Sequence, residues 1–99
     1  MNITFENIQE SSFVSGYIKM KSAIVSSWYP NATAMSFTVS KNEDEEFEVK
    51  GIISFSNAVT ESTGVGESAI QAVDNFINVV DPTYTPIPPA SKAVSGMSM

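Results

Sequence analysis

The densest group of side chains with chemistry to offer is the run Glu43-Asp44-Glu45-Glu46, with Glu48 just beyond it. Carboxylates this close could chelate a hard cation or dock a basic protein. A calcium loop needs oxygen ligands at set intervals and a glycine to fold it back, and Asn42 to Glu48 has neither. The run therefore reads first as a solvated hairpin tip, and beyond that as a contact for a basic protein partner rather than for a metal. Mimicry of a nucleic acid would use the same charges differently, with carboxylates spread along a face. Here five of the eleven sit in one hairpin.

Catalytic chemistry is sparse. The chain has no histidine, cysteine or arginine. Serine and threonine nucleophiles are plentiful, but activating them needs an adjacent base, and the lysines Lys19, Lys21, Lys41 and Lys50 read as solvent-facing with high pKa. Glu46 and Glu48 lie side by side on a polar face and could serve a hydrolytic reaction only inside a cleft. Ser62-Thr63-Gly64-Val65-Gly66 precedes a helix as a phosphate cradle would, but it lacks the lysine and the full glycine spacing of that motif. The expectation is a chain that is not an enzyme and carries no catalytic residue, metal or cofactor.

Two aromatic features remain. Trp28-Tyr29-Pro30 places two rings beside a turn, Trp28 continuing an apolar face and Tyr29 pointing outward as a contact candidate. Pro82-Thr83-Tyr84-Thr85-Pro86-Ile87-Pro88-Pro89 is preorganised as polyproline II, and Tyr84 and Ile87 could lie on a neighbouring subunit.

The elements that position these residues follow from pattern. Ile3 to Ile8 reads as a short strand. Gly16 to Trp28 reads as a strand with Ile18, Met20, Ser22, Ile24, Ser26 and Trp28 on one face. Thr33 to Lys41 and Phe47 to Phe55 alternate around the polar loop Asn42 to Glu45, which predicts a hairpin. Gly51 leaves a gap on the apolar face that suggests a bulge or the close approach of a helix. Asn57 to Gly66 reads as a connection. From Glu67 to Val80, Ala69, Ile70, Val73, Phe76, Ile77 and Val80 recur at helical spacing, with Glu67 in the first turn and Pro82 as the stop. The expected fold is α+β: a three- or four-stranded antiparallel meander with one C-terminal helix on one face, a domain over 1–81, and an extended proline-rich tail over 82–99.

The order strand, strand, strand, helix, with a glycine-containing segment before the helix, resembles the second half of a double-stranded-RNA-binding domain over roughly Thr33 to Val80. That family carries basic residues where its final helix begins. Gly64-Val65-Gly66-Glu67-Ser68 puts acid there, so the resemblance implies topology and not RNA binding.

Composition narrows the partners. Ninety-nine residues make one domain with a modest core, and 42% apolar residues argue against wholesale disorder. A formal charge of −6 without arginine disfavours direct nucleic-acid binding. No segment reads as a signal peptide or a membrane span, and the sequons at Asn2 and Asn31 read as chance. The expected location is therefore cytoplasmic, or virion-associated, since lysine without arginine beside abundant Asn, Ser and Ile suggests a microbial or viral source. The function these observations point to is a protein-binding or assembly module, self-associating as a homo-oligomer in the manner of a phage or viral accessory. The alternative is a small acidic inhibitor of a host enzyme. The expected contacts are Glu43, Asp44, Glu45, Glu46, Glu48, Tyr29, Tyr84 and Ile87, with a protein partner, no direct nucleic acid and no membrane.

Overall fold

The structure, a computed structural model, describes residues 1–81. Tyr84, Ile87 and the rest of the expected tail lie outside the described residues. The elements run β1 (Asn2–Glu6), α1 (Ser12–Trp28), β2 (Ala34–Lys41), β3 (Phe47–Ser54), β4 (Val59–Gly66) and α2 (Ala69–Val80). The sheet order is β1-β2-β3-β4. β1 pairs parallel to β2, and the other two pairings are antiparallel. The fold is α+β with a mixed sheet and two helices, which corrects the antiparallel meander with one helix.

The largest correction falls on Gly16 to Trp28, which is the body of a helix and not a strand. Its apolar residues satisfy both periods, and the helical one prevails: Val14, Ile18, Ser22 and Val25 are buried, whereas Met20 and Ile24, assigned inward by alternation, are 56% and 39% exposed. Local chemistry agrees. Ser11 is the N-cap, its Oγ accepting from the Val14 N–H at 3.2 Å, and no proline interrupts before Pro30. Two of its five serines bond back to the helix, Ser22 Oγ donating to the Lys19 carbonyl at 2.8 Å and Ser27 Oγ to that of Ile24 at 2.7 Å. Since α1 joins β1 to β2, the chain crosses over and returns parallel, which no hairpin could do.

β2 and β3 form the expected hairpin, Val39 opposite Val49 and Phe37 opposite Gly51. The segment read as a connection holds β4, a strand from Val59 to Gly66. Its sequence, Val-Thr-Glu-Ser-Thr-Gly-Val-Gly, has two glycines where α2 crosses. A Cβ on Gly64 would collide with the Phe76 N and Ala72 O of the helix backbone, and one on Gly66 would stand 2.8 Å from the Ala72 N. The glycines that made β4 look like a loop are what let the helix lie against it. At Gly51 the close approach is by the Phe76 ring, which meets Phe37 edge-on at 5.5 Å. α2 begins after Ser68, whose Oγ accepts from the Gln71 N–H at 3.1 Å, while Gln71 Oε1 accepts from the Glu67 N–H at 2.6 Å. Glu67 thus precedes the helix instead of occupying its first turn.

Both helices contribute to one core, centred on Ile18, Val25, Val39, Val49, Val73 and Phe76. Two tyrosines tie them together. Tyr17 Oη donates to Asp74 Oδ1 at 2.6 Å and Tyr29 Oη to the Val80 carbonyl at 2.6 Å, so α1 and α2 run side by side in the same direction. The other face of the sheet, by alternation, carries Ser36, Thr38, Ser40, Glu48, Lys50 and Ile52, with an exposed Lys50–Glu61 ion pair at 3.4 Å.

Candidate functional site

The acidic hairpin is built around Asn42. Its Oδ1 accepts from the backbone N–H of Asp44 at 2.8 Å and of Glu46 at 3.0 Å, and its Nδ2 donates to Glu46 Oε1 and Glu48 Oε2, both at 3.3 Å. Glu45 sits at φ 64, the left-handed position that closes the turn, and pairs with Lys41 at 3.5 Å. Lys41 also lies 5.1 Å from the Phe47 ring centre. Glu46 and Glu48 are half-buried, and Glu43, Asp44 and Glu45 are exposed. Three of the five carboxylates therefore have partners within the hairpin, which makes it a self-supporting loop with two outward charges at its tip. Among the described residues no group of three carboxylates is placed to hold a metal ion.

Tyr29 does not point outward. It is half-buried, its hydroxyl is bonded to Val80 and its ring meets Phe55 edge-on at 6.3 Å. Trp28 is half-buried and packs against the core, as its apolar face suggests. A shallow cleft of about 180 Å³ lies between α1 and the start of β2, lined by Met1, Ser22, Ser26, Ala32, Thr33, Ala34 and Met35. Ser22, its one buried polar side chain, already bonds within α1.

The surface that pattern reading passed over is the outward side of α1. From Ser11 to Asn42 the chain has no carboxylate and three lysines, Lys19, Lys21 and Lys41, so all eleven acidic residues fall outside this stretch. Against a chain at −6, α1 has the largest positive balance among the described elements, with Lys19 and Lys21 and no carboxylate, ahead of β2 with Lys41 alone. Its sequence signal was present as an acid-free run, which the net charge of the whole chain conceals.

Opposite the buried side, α1 shows Phe13 at 72% exposure and Met20 at 56%, with Gly16 between them. At about 100° per residue these three share one side of the helix, flanked by Lys19 on one hand and by Tyr17 and Lys21 on the other. Lys21 rests 5.3 Å from the Tyr17 ring centre. Gly16 is notable because nothing requires it. Its φ is not positive, and a Cβ placed there would meet nothing within 4 Å. Glycine inside a helix costs about 1 kcal/mol relative to alanine, and neither packing nor backbone geometry explains that cost here.

No family model matches the sequence, and none of the curated proteins does. Solved structures do. A ribosomal subunit interface protein from Coxiella burnetii superposes with a TM-score of 0.70 at 9% identity, over 97% of this chain and 97% of that one. The N-terminal domain of Protein Y from Thermus thermophilus superposes with a TM-score of 0.61 at 11% identity, over 80% of this chain and 91% of that one. These likenesses correct the expectation of a self-associating viral accessory or of an inhibitor of a host enzyme. They equally correct the restriction to protein partners without direct nucleic acid, because the first neighbour is by its description a protein of the ribosomal subunit interface, and ribosomal subunits contain RNA. At these identities the shared property is the fold: a four-stranded mixed sheet with two helices, like that of a ribosomal subunit interface protein.

Proposed function

We propose that this chain is a ribosome-binding protein of the cytoplasm, one that acts by contact and not by catalysis, and that it meets ribosomal RNA with the outward side of α1. The observation that carries this reading is the superposition on a ribosomal subunit interface protein across nearly the whole of both chains. No helix among the described residues is long and apolar enough to cross a membrane, which accords with such a location. Charge supports the choice of face. A polyanion is repelled by the acidic hairpin and by Glu61 and Glu67 on the later elements, and α1, which carries two lysines and no carboxylate of its own, is where an approach costs least.

Co-sedimentation of the full chain with ribosomal subunits tests the reading. The chain is expected in the subunit pellet at 0.1 M salt. Lys19→Gln/Lys21→Gln should weaken binding and reduce the slope of log K against log salt by about 1 to 2, since each phosphate neutralised on single-stranded or duplex RNA releases close to one counterion. A chain that stays in the supernatant with both subunits at 0.1 M salt is not a ribosome-binding protein.

A further inference from the structure

We infer that Phe13, Gly16 and Met20 of α1 form a notch that takes one unpaired RNA base, stacked on the Phe13 ring, with Lys19 beside it on the phosphate backbone. This rests on the ribosome reading and goes beyond it by naming the ligand as a single-stranded nucleotide and the residues that hold it.

Three independent features converge on these positions. Phe13 is a large aromatic side chain held mostly in water, and neither the core nor a neighbouring ring uses it. Gly16 is a helix residue that weakens its own helix and relieves no clash, so its lack of a side chain matters for what lies outside the fold. Along the axis Phe13 and Met20 are seven residues apart, about 10 Å at 1.5 Å per residue. With the position between them bare, the space accepts a planar group about 3.4 Å thick against the ring, the thickness of a stacked base. Met20 closes the far side with a flexible, polarisable chain suited to base edges.

The charge around the notch selects among flat ligands. No carboxylate lies between Ser11 and Asn42, and Lys19 is one turn from Gly16 on the same side. Glu10, just ahead of the helix, is the nearest carboxylate in sequence, and in space Asp74 of α2 adjoins the Tyr17 flank, its Oδ1 accepting from the Tyr17 hydroxyl at 2.6 Å. An aromatic platform beside lysine is the arrangement by which proteins hold single-stranded RNA, stacking the base and neutralising the phosphate. Phe13, Tyr17, Met20 and Ile24 form an apolar stripe along α1. The bare position at Gly16 beside that stripe, the lysines on either hand and the lack of a carboxylate on α1 favour a nucleotide over a protein.

Gly16→Leu makes the sharpest variant, because leucine is a strong helix former and its Cβ has open space, so the fold survives while the notch is filled. Binding of the full chain and of Gly16→Leu, Phe13→Ala and Val59→Ala would be measured with ribosomal subunits and with a fluorescein-labelled 12-nucleotide oligouridine, alongside thermal midpoints. Direct ultraviolet crosslinking on the subunits would identify the peptide that bonds to RNA. Gly16→Leu and Phe13→Ala should each weaken both affinities about tenfold or more, as loss of one stacked base does. Gly16→Leu should not lower the thermal midpoint, and the crosslinked peptide should contain Phe13. Val59, 64% exposed on β4, serves as the control for general stickiness and should change nothing.

If the wild-type chain sediments with subunits but both notch variants match it, the notch is wrong and the ribosome reading stands. A crosslink from the Phe13 peptide to a ribosomal protein instead of RNA overturns the inference in favour of a protein contact. If the wild-type chain does not sediment, the ribosome reading fails, and the oligouridine affinities alone decide the notch: equal values for wild type and Gly16→Leu overturn it.

Discussion

The same substitution at three glycines should produce three different outcomes. Gly64→Ala places a methyl group against the α2 backbone, the Phe76 N, the Ala72 O and the Phe76 Cα at 2.7 Å. No rotamer change can relieve that contact, so α2 must lift from the sheet and carry Phe76 partly out of the core. Overpacking costs about 1 to 3 kcal/mol where side chains can yield. Against backbone the upper figure applies, about 3 kcal/mol, from a total stability of about 5 to 15 kcal/mol. For a domain of this size the thermal midpoint should fall by roughly 12 to 24 °C. Gly51→Ala meets the edge of the Phe76 ring and the Phe37 Cδ1 at 3.2 Å, and side chains can share that strain at about 2 kcal/mol. Gly16→Ala meets nothing and should stabilise the protein by about 1 kcal/mol, raising the midpoint by roughly 4 to 8 °C.

Unfolding in urea, followed by circular dichroism and by the fluorescence of the one tryptophan, Trp28, gives all three values. A double-mutant cycle separates ring from backbone. Phe76→Leu removes the ring edge that Gly51→Ala strikes, so that pair should couple favourably by about 1 kcal/mol. The pair Gly64→Ala/Phe76→Leu should couple far less, because the backbone at position 76 does not move away. Equal coupling in both cycles, or a Gly64→Ala cost below about 0.5 kcal/mol, would refute the account of why β4 contains glycine.

Asn42→Ala should cost about 1 to 2 kcal/mol despite its place in a surface loop, because two backbone N–H groups lose their acceptor. Glu43→Gln/Asp44→Asn should change urea stability by less than about 0.5 kcal/mol, since neither carboxylate has a partner in the turn. The Tyr17 pKa is raised above the ordinary 10.0, first by its hydrogen bond to Asp74, then by burial and by the Asp74 charge. The folded state therefore holds that proton more tightly than the unfolded state. This stabilisation is complete below the unfolded pKa, about 10, and is lost as pH rises through the folded value. The thermal midpoint of Tyr17→Phe should accordingly fall less than that of wild type above about pH 10, and parallel curves would show that the pair contributes nothing.

How far the fold was legible depended on whether one period competed with another. β2 and β3 alternate cleanly, and Gly51 announced the close approach that Phe76 makes. Gly16 to Trp28 misled because Ile18, Met20, Ser22, Ile24 and Trp28 satisfy alternation, while Val14, Ile18, Ser22 and Val25 satisfy a helix. Nothing in the apolar count separates them. Ser11 as N-cap and a run of 17 residues without proline or turn chemistry were the deciding signals. β4 was hidden because its glycines serve a helix that comes later in the chain, information no local window contains. Tyr29 was misplaced by the same error of period, since a residue ending a helix faces elsewhere than one ending a strand. The acid-free run from Ser11 to Asn42 was fully legible, and its meaning emerged only when those residues became one helix.

The net charge and the charge of α1 make opposed claims on an RNA partner, and screening length decides between them. At 0.01 M salt the Debye length is about 30 Å, comparable with the 35 Å longest extent of the molecule, so an approaching polyanion feels the whole −6. At 0.15 M it is about 8 Å, and the approach to α1 is governed by Lys19 and Lys21 and by Asp74, the carboxylate bonded to Tyr17 beside Lys21. Affinity for RNA should therefore rise between 0.01 and about 0.1 M salt as the remote carboxylates are screened, and fall beyond that as the lysine contacts are screened in turn. A protein with uniform positive charge shows only the fall. Raising the net charge at a distance, by Glu43→Gln/Asp44→Asn/Glu45→Gln, should flatten the rising limb without altering the falling one, whereas Lys19→Gln/Lys21→Gln should do the reverse. An affinity that declines steadily from 0.01 M in the wild-type chain would mean that the carboxylates are not felt at the contact, and that a face other than α1 carries the binding.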